Sequence, residues 1–139
     1  MLTRDQKERF RSVVAAIIGQ TQEGLKESRK ENLYDALLSA ELLSGETIDL
    51  VRVSGDDAAI FTKHHIVSCS LRPDMEWRLL PKEGVCGLKI NPAPWAAGVE
   101  GEHFTLTILF KGNDPLQITV PMYEGQAELL RLSKAVCPA

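Results

Sequence analysis

The chain has 139 residues, of which 44% are hydrophobic and 25% charged, and its formal net charge is -3 at pH 7. This length suits one domain with a real core, and the acidic balance provides no global positive field that would attract nucleic acid. No basic start followed by an apolar run is present, and no apolar stretch approaches the roughly 20 residues that span a bilayer. We therefore expect a cytoplasmic protein with no nucleic-acid partner.

The first 44 residues predict two helices joined by a polar connector. Thr3 and Gln6 have the spacing of a capping box, which marks the start of the first helix. Its apolar face consists of Phe10, Val13, Val14, Ile17 and Ile18. The second helix is predicted from near Asn32 to Ser44, with a connector between residues 19 and 31 and Gly45 just past its end. Its apolar residues are Leu33, Leu37, Leu38, Ala40 and Leu43.

From residue 46 onward, apolar and polar residues alternate with the two-residue period of half-buried strands. Clusters of turn-forming residues divide this part into seven short segments, so successive strands are expected to pair antiparallel. The predicted strands are Ile48–Val53, Ala58–Thr62, His65–Ser70, Met75–Leu80, Val85–Ile90, Phe104–Phe110 and Leu116–Val120. The last turn is expected at residues 111–115, and Pro121, which lacks an amide hydrogen, should end the final strand.

After Pro121 the apolar period becomes helical, and residues 122–136 predict a C-terminal helix. The expected buried stripe is Met122, Leu129, Leu132 and Val136, widened by Leu130, Tyr123 and Ala127. The predicted fold class is therefore α+β: a helical hairpin over residues 1–44, then a seven-stranded antiparallel sheet with a capping helix over residues 45–139. The hairpin either covers the sheet of its own chain or pairs with a second copy as an assembly element.

Three segments carry a resemblance to a known family: Leu43–Ile48, Ile60–Val67, and Leu79–Pro81 ahead of Val85. With the order of the final strands and helix, they make residues 43–137 resemble the bacterial pleckstrin-homology-like (PH-like) domains. The resemblance implies a strongly bent sheet or barrel closed by the last helix, and a module that binds protein, peptide or lipid headgroups. In these domains an arginine often follows the position of Lys63, where this chain has His64.

The resemblance also bears on lipid binding. Phosphoinositide-binding members hold the headgroup with basic residues in the loop between the first two strands. Here that loop is Ser54-Gly55-Asp56-Asp57, which would repel a phosphate.

The sequence contains no motif that predicts an enzyme, a cofactor or a metal site. None of the hydrolase, zinc-protease or phosphate-loop patterns occurs. His64 and His65 are adjacent, so in a strand they would point to opposite faces and could not share a metal. As turn residues they could share one, but a solvated turn is the favoured interpretation. The three cysteines, Cys69, Cys86 and Cys137, are interpreted as small buried thiols.

Two sets of residues are candidates for binding. Trp95 and Pro94 lie in the long irregular segment of residues 91–101, where Trp95 either anchors a partner or caps the open end of the sheet. Basic residues could instead gather near one rim of the sheet: Lys63, His64, Arg72, Arg78 and Lys82.

We therefore predict a non-catalytic binding module that acts through protein–protein contacts, with homo-oligomers as one form of contact. The alternative is a peripheral membrane or lipid-binding module that uses the basic rim. A second alternative is a small enzyme with a site under the Trp95 loop.

Overall fold

The computed structural model describes residues 4–5, 8–12, 27–54, 57–72, 76–91, 103–121 and 125–137. The chain divides into two compact units, Met1–Leu80 and Pro81–Ala139. The predicted boundary between a hairpin and a β domain near residue 44 stays a prediction.

The first unit combines helices with a four-stranded sheet. Residues 4–5 and 8–12 are helical, and helix α1 spans Glu27–Ser44. Four strands follow in the order of the chain: β1 (Ile48–Ser54), β2 (Asp57–Thr62), β3 (His65–Ser70) and β4 (Trp77–Pro81). The sheet order is β1-β2-β3-β4, and β2 pairs antiparallel with both β1 and β3. The described strands therefore form a meander, as the short turns predicted.

The second unit consists of a three-stranded sheet and a helix. After a 3-10 turn at Lys82–Gly84, the elements are β5 (Val85–Asn91), β6 (His103–Phe110), β7 (Asn113–Pro121) and α2 (Gly125–Val136). The order is β5-β6-β7 with antiparallel pairing, and α2 contacts β7. The α+β class, the seven antiparallel strands and the C-terminal helix are confirmed.

The turn between β6 and β7 is shorter than predicted. It contains only Lys111 and Gly112, and Gly112 adopts a positive φ of 80°, which glycine reaches without steric cost. The pairing passes from Ile108↔Leu116 to Phe110↔Asn113, so β7 carries one extra residue here. Such a bulge in an edge strand tolerates Pro115, which the sequence analysis placed in the turn.

The core of the first unit joins α1 to its own sheet. Leu33, Leu37 and Ala40 have no exposed surface and pack in one cluster with residues of β1, β2 and β3. Phe10, which is 4% exposed, belongs to the same cluster. The described part of the predicted hairpin therefore covers the sheet of its own chain. Pairing of the hairpin between copies is not tested.

Four details of the predicted helices are wrong. Helix α1 begins at Glu27, five residues before the predicted start, and its Leu43 is 59% exposed. In α2, Leu129, Leu132 and Val136 are buried as predicted, but Leu130 is 57% exposed and Ala127 is exposed too. Successive helical residues are turned by about 100° around the axis, so Leu130 leaves the face that Leu129 occupies. Met122 and Tyr123 lie outside the described residues.

Candidate functional site

A hydrogen-bonded cluster, partly buried, forms just after the end of α1. We call it the Glu46 cluster, and its members are Glu46, Thr62, His64 and His65. Oε1 of Glu46 accepts hydrogen bonds from the Thr62 hydroxyl at 2.9 Å, the His64 amide at 3.1 Å and His65 Nδ1 at 2.8 Å. Oε2 contacts His64 Nδ1. Because a carboxylate only accepts hydrogen bonds, both imidazoles present a protonated Nδ1 to Glu46.

Local backbone geometry holds Glu46 in this position. Gly45 ends α1 with a φ of 70°, and its amide donates to the carbonyl of Glu41 at 2.9 Å. The Ser44 hydroxyl accepts a hydrogen bond from the Glu46 amide at 3.2 Å. The pairing Ile48↔Thr62 then brings residue 46 beside the β2–β3 turn, so the cluster ties the end of α1 to that turn.

These hydrogen bonds lower the pKa of Glu46 to about 2, chiefly through His65, with smaller contributions from His64 and Thr62 and against the opposing effect of burial. A carboxylate held ionised by several donors is a poor proton acceptor, so this arrangement favours a structural role over general-base catalysis. His64 lies in the turn and His65 begins β3, as predicted, and both rings contact the same carboxylate. Within the described ranges, no group of three or more histidine, cysteine or carboxylate side chains, the Glu46 cluster included, has an arrangement that could hold a metal ion.

The second feature of the first unit is a groove of about 250 Å³ between α1 and the strands β3 and β4, which we call the Trp77 groove. Its lining residues are Asn32, Asp35, Ala36, Ser39, Ser70, Leu71, Arg72 and Trp77. The four residues from α1 follow the i, i+3, i+4, i+7 spacing and therefore share one helix face. Trp77, at the start of β4, is 38% exposed.

Hydrogen bonds fix both walls of the Trp77 groove. Asn32 Nδ2 donates to the carbonyl of Leu71 at 2.5 Å, which links α1 to the end of β3. The Arg72 amide donates to the Ser70 hydroxyl at 3.1 Å, which stabilises the turn after β3. The groove therefore combines an aromatic ring, two charged side chains and several polar groups, and hydrogen bonds hold the elements that carry them in place.

Within the first unit, the structure separates Lys63 from Arg72, two of the basic residues predicted to share one rim. Lys63 lies in the turn before β3 and Arg72 follows β3, whose six residues span roughly 20 Å. Arg78 is half-buried in β4, and Lys82 is only 4% exposed. Of this set, His64 belongs to the Glu46 cluster and Arg72 to the Trp77 groove. Trp95 and Pro94 lie outside the described residues.

Sequence reasoning missed Glu46 and Trp77 as site residues. A signal for Glu46 existed, because antiparallel pairing of the first two predicted strands places residue 46 near residue 64. For Trp77 the signal was an aromatic residue in a short predicted strand, where pattern alone does not say which face is exposed.

Only one of the three cysteines is buried as predicted. Cys69 in β3 is 3% exposed, and burial, with the nearby Asp57 carboxylate, raises the pKa of its thiol to about 11. Cys86 and Cys137 are exposed. The prediction was wrong for these two because Cys86 lies on β5, an edge strand of its sheet, and Cys137 follows the last residue of α2.

Two solved structures resemble this chain. A pleckstrin homology domain from Shewanella amazonensis SB2B has a TM-score of 0.52 and 16% sequence identity, covering 90% of this chain and 95% of that one. A DUF1696-family protein with a pleckstrin-homology domain from Shewanella loihica PV-4 has a TM-score of 0.47 and 16% identity, covering 71% and 93% respectively. No protein-family model and no curated protein matches the chain.

The fold is therefore that of a bacterial PH-like domain, as the resemblance in the sequence implied. Among the described residues, no helix is long and apolar enough to cross a membrane.

Proposed function

We propose that this protein is a non-catalytic binding module that acts through protein–protein contacts at the Trp77 groove. The observation that carries the proposal is the partly exposed Trp77 ring in a concave site with polar and charged groups around it. Tryptophan is enriched among the residues that contribute most to protein interfaces, since it buries a large area with few rotatable bonds. The PH-like fold, which serves generally as a binding scaffold, supports the proposal.

Exposed apolar surface next to the groove supports a macromolecular partner. Leu79 is 41% exposed and lies two residues after Trp77 in β4, so the two side chains point to the same face of the strand. Two neighbouring apolar side chains beside polar groups resemble the centre and rim of an interface. The Glu46 cluster supports the non-catalytic part of the proposal, because its carboxylate already accepts hydrogen bonds from Thr62, His64 and His65.

The test is site-specific photo-crosslinking of the full chain in its source cells. A photoreactive residue at Leu79 should give a crosslinked protein, identified by mass spectrometry, whereas the same residue at Leu130, also exposed, should not. The identified partner is then purified and titrated calorimetrically. Trp77→Ala should weaken its binding about 10-fold to 100-fold, because truncating a central aromatic anchor costs roughly 2 kcal/mol or more. Leu130→Ala is the matched control and should leave the affinity unchanged.

Two outcomes would contradict the proposal. Equal crosslinking at positions 79 and 130 would place the contact elsewhere or make it non-specific. Flotation of the purified protein with anionic liposomes, lost at raised salt and accompanied by no protein crosslink, would support the lipid-binding alternative instead. Crosslinking to a second copy of this chain would identify the protein contact as self-association.

A further inference from the structure

We propose that the Trp77 groove receives a basic side chain, arginine or lysine, from the protein partner. This inference rests on the proposed function and adds the chemistry of the residue that is recognised. Charge complementarity carries it, because the groove contains an exposed carboxylate, Asp35, without an ion-pair partner among the described residues, while its one basic residue, Arg72, is engaged in other interactions.

The acceptors come from the face of α1. Asp35 is exposed in the groove, and within the part of the chain that the structure describes its carboxylate makes no ion pair or hydrogen bond. Asn32 is oriented by its bond to the carbonyl of Leu71: a carbonyl can only accept, so Nδ2 donates and Oδ1 remains an acceptor. Ser39 lies one helical turn after Asp35 and adds a hydroxyl.

The one basic residue of the groove, Arg72, is already engaged. Its backbone amide donates to the Ser70 hydroxyl, and both residues have further interactions within the structure. An acidic side chain entering the groove would lie near the Asp35 carboxylate, with which no cation of the described residues forms an ion pair, and would be repelled. A basic side chain would instead find a carboxylate, an amide oxygen and the face of an indole ring.

The indole ring of Trp77 strengthens this preference. A guanidinium or ammonium group is attracted to the face of an aromatic ring, and tryptophan gives the strongest attraction of the aromatic side chains. Arginine also has five N–H donors in a planar fork, which match a carboxylate and an amide oxygen at once. The groove volume of about 250 Å³ suits one side chain better than a large ligand.

The test uses the full chain and small blocked amino acids followed by NMR. N-acetyl-arginine amide is compared with N-acetyl-citrulline amide, which has the same shape without the charge, and with N-acetyl-glutamate amide. The readout is the indole N–H signal of Trp77, assigned with a Trp77→Phe variant. Arginine should shift this signal at millimolar concentration and bind about fivefold tighter than citrulline, while glutamate should not shift it.

Variants of Asp35 make the test specific. Asp35→Asn should weaken arginine binding about fivefold, and Asp35→Glu should retain most of it. Asp49→Asn, at an exposed position of β1, is the control and should change nothing. The inference is overturned if citrulline binds as well as arginine, if glutamate is preferred, if Asp35→Asn has no effect, or if no probe shifts the Trp77 signal at up to about 20 mM. If a partner is crosslinked at position 79 and its affinity is the same for the wild type and for Asp35→Asn, the proposed function is retained and only this inference is rejected.

Discussion

Thr62 donates a 2.9 Å hydrogen bond from its hydroxyl to Oε1 of Glu46 and thereby joins two segments that are far apart in the sequence. Glu46 lies in the first segment that resembles PH-like domains, and Thr62 lies in the second. Thr62 has no exposed surface and the Glu46 side chain is 16% exposed, so the bond is largely shielded from water. The resemblance in sequence therefore corresponds to a physical contact in the first unit.

The hydrogen bonds to Glu46, chiefly the one from His65, predict how the stability of the protein depends on pH. The pKa of Glu46 is about 2 in the folded protein against 4.5 for an ordinary glutamate, so the unfolded chain takes up the proton first as pH falls. The stabilisation is fully present above pH 4.5 and is lost as pH falls from 4.5 toward 2. We expect the free energy of unfolding of the wild type to decrease more steeply over this range than that of Glu46→Gln. Urea unfolding followed by circular dichroism checks this.

The control for the pH experiment is Glu83→Gln, which changes an exposed carboxylate in the 3-10 turn. It should keep the steep acid dependence of the wild type. If Glu46→Gln also kept that dependence in full, the hydrogen bonds to Glu46 would not hold its carboxylate ionised, and the cluster would have no electrostatic role.

Features of this fold that depend on residues close together in the sequence were predictable, whereas features that depend on distant residues were not. The bounds of β3, His65–Ser70, were predicted correctly because turn-forming residues flank an alternating β-branched run. The start of β7 was missed because a positive φ at Gly112 and a bulge at Pro115 permit a two-residue turn. Local composition identified the turn, but the bulge depends on the register with β6, which composition does not encode.

The sites were less predictable than the fold for the same reason. The Trp77 groove brings residues of α1 together with the ends of β3 and β4, so it exists only after tertiary packing. Asp35 and Trp77 are 42 positions apart in the sequence, and neither belongs to a motif. Grouping the basic residues by charge ignored the length of β3, which separates Lys63 from Arg72.

Phe10 provides a test of the packing of the N-terminal helical segment. It is 4% exposed in the core cluster of the first unit, whereas the neighbouring Arg9 forms a surface ion pair with Glu41 at 2.6 Å. Phe10→Ala should lower the free energy of unfolding by about 3 to 5 kcal/mol, through lost burial and the cavity left behind. Arg9→Ala, the matched control, should cost about 1 kcal/mol or less, because exposed ion pairs contribute little. Chemical denaturation of both variants measures the difference.

Removal of residues 1–42 tests the same packing more severely. A chain beginning at Leu43 would expose the core side chains of the first sheet that α1 covers, including Val51, Ile60 and Val67. We expect this chain to be insoluble or to aggregate non-specifically, as light scattering would show. A soluble, folded truncated chain that had merely lost a defined oligomer would contradict this and support pairing of the hairpin between copies.

The cysteines predict a pattern of chemical labelling. The thiolate is the reactive form of cysteine. At Cys69, burial raises the pKa of the thiol to about 11, which lowers the thiolate fraction, and it also keeps reagents away from the sulfur. A maleimide added to the native protein should therefore modify Cys86 and Cys137 much faster than Cys69. Peptide mass spectrometry reads the sites, and labelling in urea is the control, since all three thiols should then react. Rapid native modification of Cys69 would show that β3 opens readily.

The last prediction concerns the two neighbouring faces of α2. Leu132 has no exposed surface, while Leu130, two residues earlier, is 57% exposed, although both are leucines in the same helix. Leu132→Ala should lower the free energy of unfolding by about 2 to 5 kcal/mol, because it removes buried methyl groups and leaves a cavity. Leu130→Ala should change it by about 0.5 kcal/mol or less, since alanine keeps a high helix propensity and no burial is lost. Equal costs in urea unfolding would mean that α2 packs through the wider stripe that the sequence pattern predicted, with Leu130 inside it.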